Sequence, residues 1–128
     1  MRNLLIGAGI FYAITLALTL RIFAVDLVIA EGESMLPSIQ PRAVLVMNKA
    51  AYGMRTSDGV YVHRWSNPKL GEIVVFYTPE GTIAVKRCVA IEGDLFYAQG
   101  DNLLQSYDSR HYGVVPKDNI IGRIVGVK

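Results

Sequence analysis

Two polar side chains in apolar settings mark where chemistry can occur in this chain. Ser34 lies in Gly32-Glu33-Ser34-Met35-Leu36-Pro37-Ser38, immediately after a run of alternating apolar residues. Lys86 lies in the middle of Thr82 to Ile91, a stretch of strand length. A serine hydroxyl is a poor nucleophile unless a base within hydrogen-bond reach takes its proton. A lysine becomes such a base when burial disfavours its ammonium form. Lowering its pKa from ~10.4 to about 8 costs roughly 3 kcal/mol. Alternation along this strand puts Ala84, Lys86, Cys88 and Ala90 on one face and Ile83, Val85, Arg87, Val89 and Ile91 on the other. Lys86 therefore has small neighbours, which leaves room for another chain to approach. The plainer role of a strand lysine is to block edge-to-edge association. The histidines offer less as bases: His63 stands in a stretch that reads as a loop, beside Arg64 and Trp65, and His111 follows a charged turn. Both read as surface residues.

The elements that must position this pair differ sharply between the two parts of the chain. Leu4 to Leu20 (LLIGAGIFYAITLALTL) holds no charge. Extended to Val25, a helix here would span about 33 Å, enough for a bilayer core of roughly 30 Å. Arg21 would then reach towards the far headgroups. A body this small cannot enclose a helix that is apolar on every face. A cleavable leader is the competing reading, and an uncleaved anchor over residues 1–25 is preferred because the apolar run is long. Arg2 precedes the run while Asp26, Glu31 and Glu33 follow it, so the positive-inside rule puts the N-terminus in the cytoplasm and the body outside. Met35 and Leu36, close to the anchor, are expected to help the body rest on lipid.

Residues 26–128 read as one mainly β domain. Ala43–Met47, Glu72–Tyr77, Thr82–Ile91, Leu95–Ala98 and Ile120–Val127 are short, rich in Val, Ile, Tyr or Phe, and bounded by Gly, Pro, Asn or Asp. Pro79-Glu80-Gly81 and Asp58-Gly59 mark tight turns, and Tyr61–Leu70 reads as a loop. A small antiparallel β-sheet or barrel-like domain behind one transmembrane helix is the expected architecture. With 128 residues there is room for one domain of ordinary size, and 52% hydrophobic content excludes intrinsic disorder. Outside the first 25 residues, eleven Lys and Arg balance eleven Asp and Glu, which argues against a nucleic-acid partner. A single cysteine, Cys88, excludes an internal disulfide and, with only two histidines, argues against a zinc site.

Four ordered segments together resemble the type I signal peptidases, membrane-anchored serine–lysine proteases. The anchor comes first, and Ser34-Met35-Leu36-Pro37-Ser38 is similar to the family's nucleophile box, with Ser38 where threonine is commoner. Lys86-Arg87 followed by Gly93-Asp94 resembles its general-base box. Gly100-Asp101-Asn102, Ser106-Tyr107-Asp108-Ser109-Arg110 and Gly113 resemble its C-terminal box. The resemblance implies Ser34 as nucleophile, Lys86 as general base and Ser106 as the hydroxyl that orients the lysine amine. It implies bracing ion pairs among Asp101, Asp108, Arg110 and Arg87. Substrate would be held by Glu31, Gly32, Glu33, Met35, Ile83, Ala84 and Val85, with shallow pockets for small residues at the first and third positions before the cut. No cofactor or metal is implied. The partners would be preprotein signal peptides and membrane lipid, in a bacterial-type cytoplasmic membrane. Gly32 stands where some members carry a serine that helps bind the oxyanion. Asp94 and Gly100 are only six positions apart, where many members insert a large extra β domain, so this is a near-minimal form. Specialised maturation peptidases for conjugation pilins share these boxes, and a tethered β module that binds secreted chains without cutting them is the non-enzymatic alternative.

Overall fold

The computed structural model describes the backbone of residues 1–128, with side chains for 1–19 and 24–128; the expectation for Arg21 concerns a side chain outside the described residues. Helix α1 runs Arg2–Ala24, and every side chain from Arg2 to Thr19 is exposed. The helix is long and apolar enough to cross a membrane. Its threonine hydroxyls are satisfied locally: Thr15 donates to the Phe11 carbonyl at 2.9 Å and Thr19 to the Thr15 carbonyl at 2.8 Å. That is how a polar side chain is tolerated on an apolar helix.

The body is mainly β. Its strands are β1 (Val25–Ile29), β2 (Val44–Asn48), β3 (Gly53–Arg55), β4 (Tyr61–Arg64), β5 (Ile73–Tyr77), β6 (Ile83–Glu92), β7 (Leu95–Gln99), β8 (Val115–Pro116) and β9 (Ile120–Val127), with a one-turn helix α2 (Ser109–Tyr112). Seven strands form one antiparallel sheet in the order β1-β2-β9-β5-β6-β7-β8. Irregularities at Val46/Met47, Val75/Phe76 and Cys88/Ala90 interrupt the ladders, and such bulges bend and twist the strands they enter. The sheet curls into a half-barrel.

Alternation along the strands feeds two apolar clusters, one on each face. Val74, Phe76, Cys88, Phe96, Ala98, Val115 and Ile120 gather around Tyr52 on one side, with Ala84 and Tyr112 packed against them. Ala30, Met35, Ile39 and Leu45 form the other, against which Val28, Ile73 and Val85 pack. Met35 is only 4% exposed. The expectation that it rests on lipid is therefore wrong: its side chain points into the body because the turn that carries Ser34 needs an apolar anchor beneath it.

The Tyr61–Leu70 loop expectation also needs correction. Tyr61–Arg64 is a strand paired with β3 in a separate two-stranded sheet. The ribbon closes through the expected Asp58-Gly59 turn, where Gly59 adopts φ +85° and donates its N–H to the Thr56 carbonyl. It is held to the main sheet by Tyr61, whose hydroxyl donates to the Ile120 carbonyl at 2.6 Å, and by an Arg64–Asp118 ion pair.

Candidate active site

The nucleophile candidate stands on a short turn after β1. Ile39 donates its N–H to the Met35 carbonyl at 2.9 Å, so Met35 and Ile39 lie on the same side of the turn and both sink into the core. Ser34, one residue before Met35, is left half-buried at the surface of that anchored turn. Lys86 reaches it from β6, its Nζ donating to Ser34 Oγ at 2.7 Å. The two residues are 52 positions apart in sequence.

Lys86 is 8% exposed. Burial lowers the pKa of its amine, and the nearby Asp108 carboxylate opposes that shift without cancelling it. Strand pairing explains why an amine is buried there yet borders an open edge. Along β6, residues Ile83–Arg87 pair with β5 on one side, whereas pairing with β7 begins only at Arg87. The edge at Ile83–Val85 is therefore open. Across it lies the unpaired edge of β1, and the cleft between them is lined by Ile29, Glu31, Gly32, Met35, Ala84 and Val85. Ser34 and Lys86 also line this cleft.

Three consecutive residues after β7 hold the Ser34 turn and the Lys86 strand in register. Gly100 donates its N–H to Asp108 Oδ2 at 2.9 Å. Its α-carbon is so closely packed that an added Cβ would lie 2.1 Å from Ser106 Oγ and 2.6 Å from the Ser34 carbonyl oxygen. Asp101 accepts from Arg87 Nε at 2.8 Å and Nη2 at 2.7 Å, and from Ser38 Oγ at 2.6 Å. Asn102 donates its N–H to the Ser34 carbonyl at 2.9 Å and its side-chain amide to the Glu33 carbonyl at 3.0 Å. The Arg87 guanidinium holds the Asp101 carboxyl below its ordinary pKa, burial opposes this, and the Ser38 hydroxyl adds to it.

Asp108 is fully buried. Burial alone would raise its pKa, but donors surround it. Arg110, the Gly100 N–H and the Ser106 hydroxyl together hold the carboxyl well below the usual carboxylate range. Ser106 Oγ donates to Asp108 Oδ2 at 2.7 Å, and Arg110 Nε donates to Oδ1 at 2.9 Å. The expected braces thus resolve into two separate ion pairs, Arg87–Asp101 and Arg110–Asp108. The described hydrogen bond of the Lys86 amine goes to Ser34, while the Ser106 hydroxyl is given to Asp108. Glu33 contributes its carbonyl to the turn and does not line the cleft.

His111, a plain surface residue by its sequence setting, has a structural part in α2. Its Nδ1 accepts the Asp108 N–H at 3.1 Å, while Asp108 accepts from the Arg110 N–H, a reciprocal cap on α2. The signal was the Asp-x-x-His spacing, a variant of the capping box. The roles of Gly100 and Asn102 depend on contacts with Ser34 that no local pattern announces.

Comparison with known proteins agrees with this arrangement of segments. The family described as signal peptidase, peptidase S26, matches residues 4–98 and 95–127. A Signal peptidase I from Leptolyngbya laminosa is 30% identical over 148 aligned positions, covering 88% of this chain and 73% of that one. A Signal peptidase I from Bacillus caldolyticus is 22% identical, covering 89% and 85% respectively. The mitochondrial ATP-independent inner membrane protease subunit 1b of Arabidopsis thaliana is 29% identical over 75% of this chain and 65% of its own length. With most of the N-terminal helix, the Ser34 turn and the Lys86 strand inside the matched span, the chain belongs to the signal peptidase, peptidase S26, family.

Proposed function

We propose that this protein is an endopeptidase that removes N-terminal signal peptides from exported preproteins, using Ser34 and Lys86 as a catalytic dyad. The observation that carries this reading is the 2.7 Å approach of a buried lysine amine to a serine hydroxyl beside an open strand edge. In its neutral form the Lys86 amine accepts the Ser34 proton while Ser34 Oγ attacks the scissile carbonyl. The Ser34 N–H faces the developing oxyanion. The ammonium so formed then protonates the departing amine, leaving an acyl-enzyme. Water, deprotonated by the same amine, releases the acyl group and regenerates the hydroxyl. Asp101, Arg87, Asp108, Arg110 and Ser106 act at one remove, by fixing the turn and strand that carry the dyad.

Substrate enters as an extended strand. The cleft between β1 and Ile83–Val85 offers main-chain partners on both sides, the usual mode for strand addition. Glu31, Gly32, Met35, Ile83, Ala84 and Val85 form its walls. Residues 1–25 anchor the protein in a bacterial-type cytoplasmic membrane with the N-terminus inside, and residues 26–128 act outside. Ser34 follows Val25 by nine positions and so stays within roughly 30 Å of the helix end. Preprotein and peptidase then meet in one thin layer, which restricts their search and aligns both chains.

The test is incubation of the detergent-solubilised full chain with a preprotein, with the cut located by mass spectrometry. A discrete cut after a small residue is expected from wild type and none from Ser34→Ala. Binding without a cut would favour the tethered binding module instead.

A further inference from the structure

The cleft accounts for only half of an extended substrate's side chains. Alternation along β6 sends Val85 to the face of Met35 and Ile39, and sends Ala84 and Lys86 to the opposite face, where Ala84 and Tyr112 both pack against the cluster around Tyr52. A strand laid on the Ile83–Val85 edge has the same period. If the residue just before the scissile bond points towards Met35 and Val85, so does the third, and the second points to the Ala84 side.

That side is not empty. Tyr107 follows Ser106 and is 55% exposed. Its ring meets Tyr112 edge-on at 5.4 Å and stacks on His111 at 5.2 Å with an interplanar angle of 26°. Its hydroxyl donates to Glu80 Oε1. Glu80 sits in the turn between β5 and β6, three residues ahead of Ile83. The Tyr107 ring therefore reaches from the Ser106 backbone to that turn, beside Tyr112, on the face of the sheet that Ala84 shares. Among the described residues, Glu80 takes a hydrogen bond from Tyr107 on one oxygen, and none of its described contacts is with a cation. Asp108, close by, is already committed to Arg110.

We propose that Tyr107 and Glu80 form a subsite for the second residue before the scissile bond, selecting a long cationic side chain and disfavouring an acidic one. The stem of a lysine or arginine would lie on the exposed Tyr107 ring, which attracts cations through its π face. The charged head would reach Glu80. The pair is exposed, so the preference is modest. This inference rests on the peptidase reading above.

The test uses the full chain in detergent and three peptides that share alanine at the first and third positions before the cut and differ at the second, which is Lys, Ala or Glu. Wild type should cleave the lysine peptide with a kcat/KM roughly fivefold above that for the glutamate peptide. Glu80→Lys should invert that ratio, and Tyr107→Ala should reduce it towards one, whatever either change does to the absolute rates. Equal rates on all three peptides, or a ratio untouched by Glu80→Lys, would overturn the subsite while leaving the peptidase intact. Failure to cut any of them would overturn the peptidase reading, and the subsite with it.

Discussion

Arg87 and Asp101 face each other through two parallel hydrogen bonds, Nε to Oδ1 at 2.8 Å and Nη2 to Oδ2 at 2.7 Å. Arg87 directly follows the base candidate, and the same carboxylate also receives Ser38 from the nucleophile turn. One carboxylate therefore links the Ser34 turn to the Lys86 strand. Removing it by Asp101→Ala should cost about 1 kcal/mol of stability, since the pair is partly solvated. It should lower kcat/KM by about tenfold, because a shift of the turn relative to the strand misaligns the reacting atoms. Arg87→Ala should do much the same, and the double variant should be little worse than either. Additive losses would show that the two residues act independently.

The pH dependence of cleavage should report Lys86. Its amine works as a base only when neutral, so kcat/KM should rise with pH and reach half its maximum below the ordinary lysine value of 10.5. Lys86→Arg keeps a cation in place but removes the base, since guanidinium does not deprotonate in the working range. It should lose roughly 10³-fold or more. Substantial turnover by Lys86→Arg would remove Lys86 from the mechanism.

Gly100→Ala isolates packing from charge. The new methyl would fall 2.1 Å from Ser106 Oγ and 2.5 Å from its Cβ, so the nucleophile turn or the loop carrying Ser106 must move. Overpacking of this kind costs about 1–3 kcal/mol, and cleavage should fall further than in Asp101→Ala. A variant with wild-type kcat/KM would show that the site tolerates the displacement.

Acid stability should report Asp108. A carboxyl whose folded pKa is depressed contributes stability that is complete above its unfolded value of ~3.9 and fades as pH falls towards the folded value. The urea midpoint of the solubilised protein should therefore drop below about pH 4. Asp108→Asn should be less stable at neutral pH, because Arg110 and the buried Gly100 N–H lose a charged partner, and its acid limb should be shallower. Parallel curves would assign the acid loss to other groups.

Topology can be read with one added thiol. Cys88 is fully buried and should give little background labelling in the folded chain. Leu104 is 97% exposed, so Leu104→Cys should react with an impermeant maleimide in right-side-out cells or vesicles without lysis. Labelling only after lysis would contradict an external body.

The sequence disclosed what local composition controls. The apolar run of α1 and the Val/Ile-rich strands β2, β5, β6, β7 and β9 each carry enough apolar surface to announce themselves. The β3–β4 ribbon did not, because its residues His63 and Arg64 are polar and its attachment comes from single long-range contacts such as Tyr61 to Ile120. Met35 misled for a related reason: hydrophobicity says that a side chain leaves water, not whether lipid or protein receives it. The boxes around Ser34 and Lys86 were visible as motifs. That Asn102 holds the Ser34 carbonyl, or that Ser106 is spent on Asp108, depends on tertiary register.

The hairpin joining β6 to β7 turns at Gly93-Asp94, with Gly93 at φ +57°, seven and eight residues up the chain from Lys86. At about 3.3 Å per residue that is some 25 Å from Lys86. The family match itself divides beside this turn, at residues 95–98. A graft at this point would hang from the far rim of the sheet without disturbing the turn, strand or loop that meet at Ser34. The β6–β7 tip is thus a natural docking port for engineering, where a fluorescent reporter or affinity module could be spliced in and the peptidase left in working order.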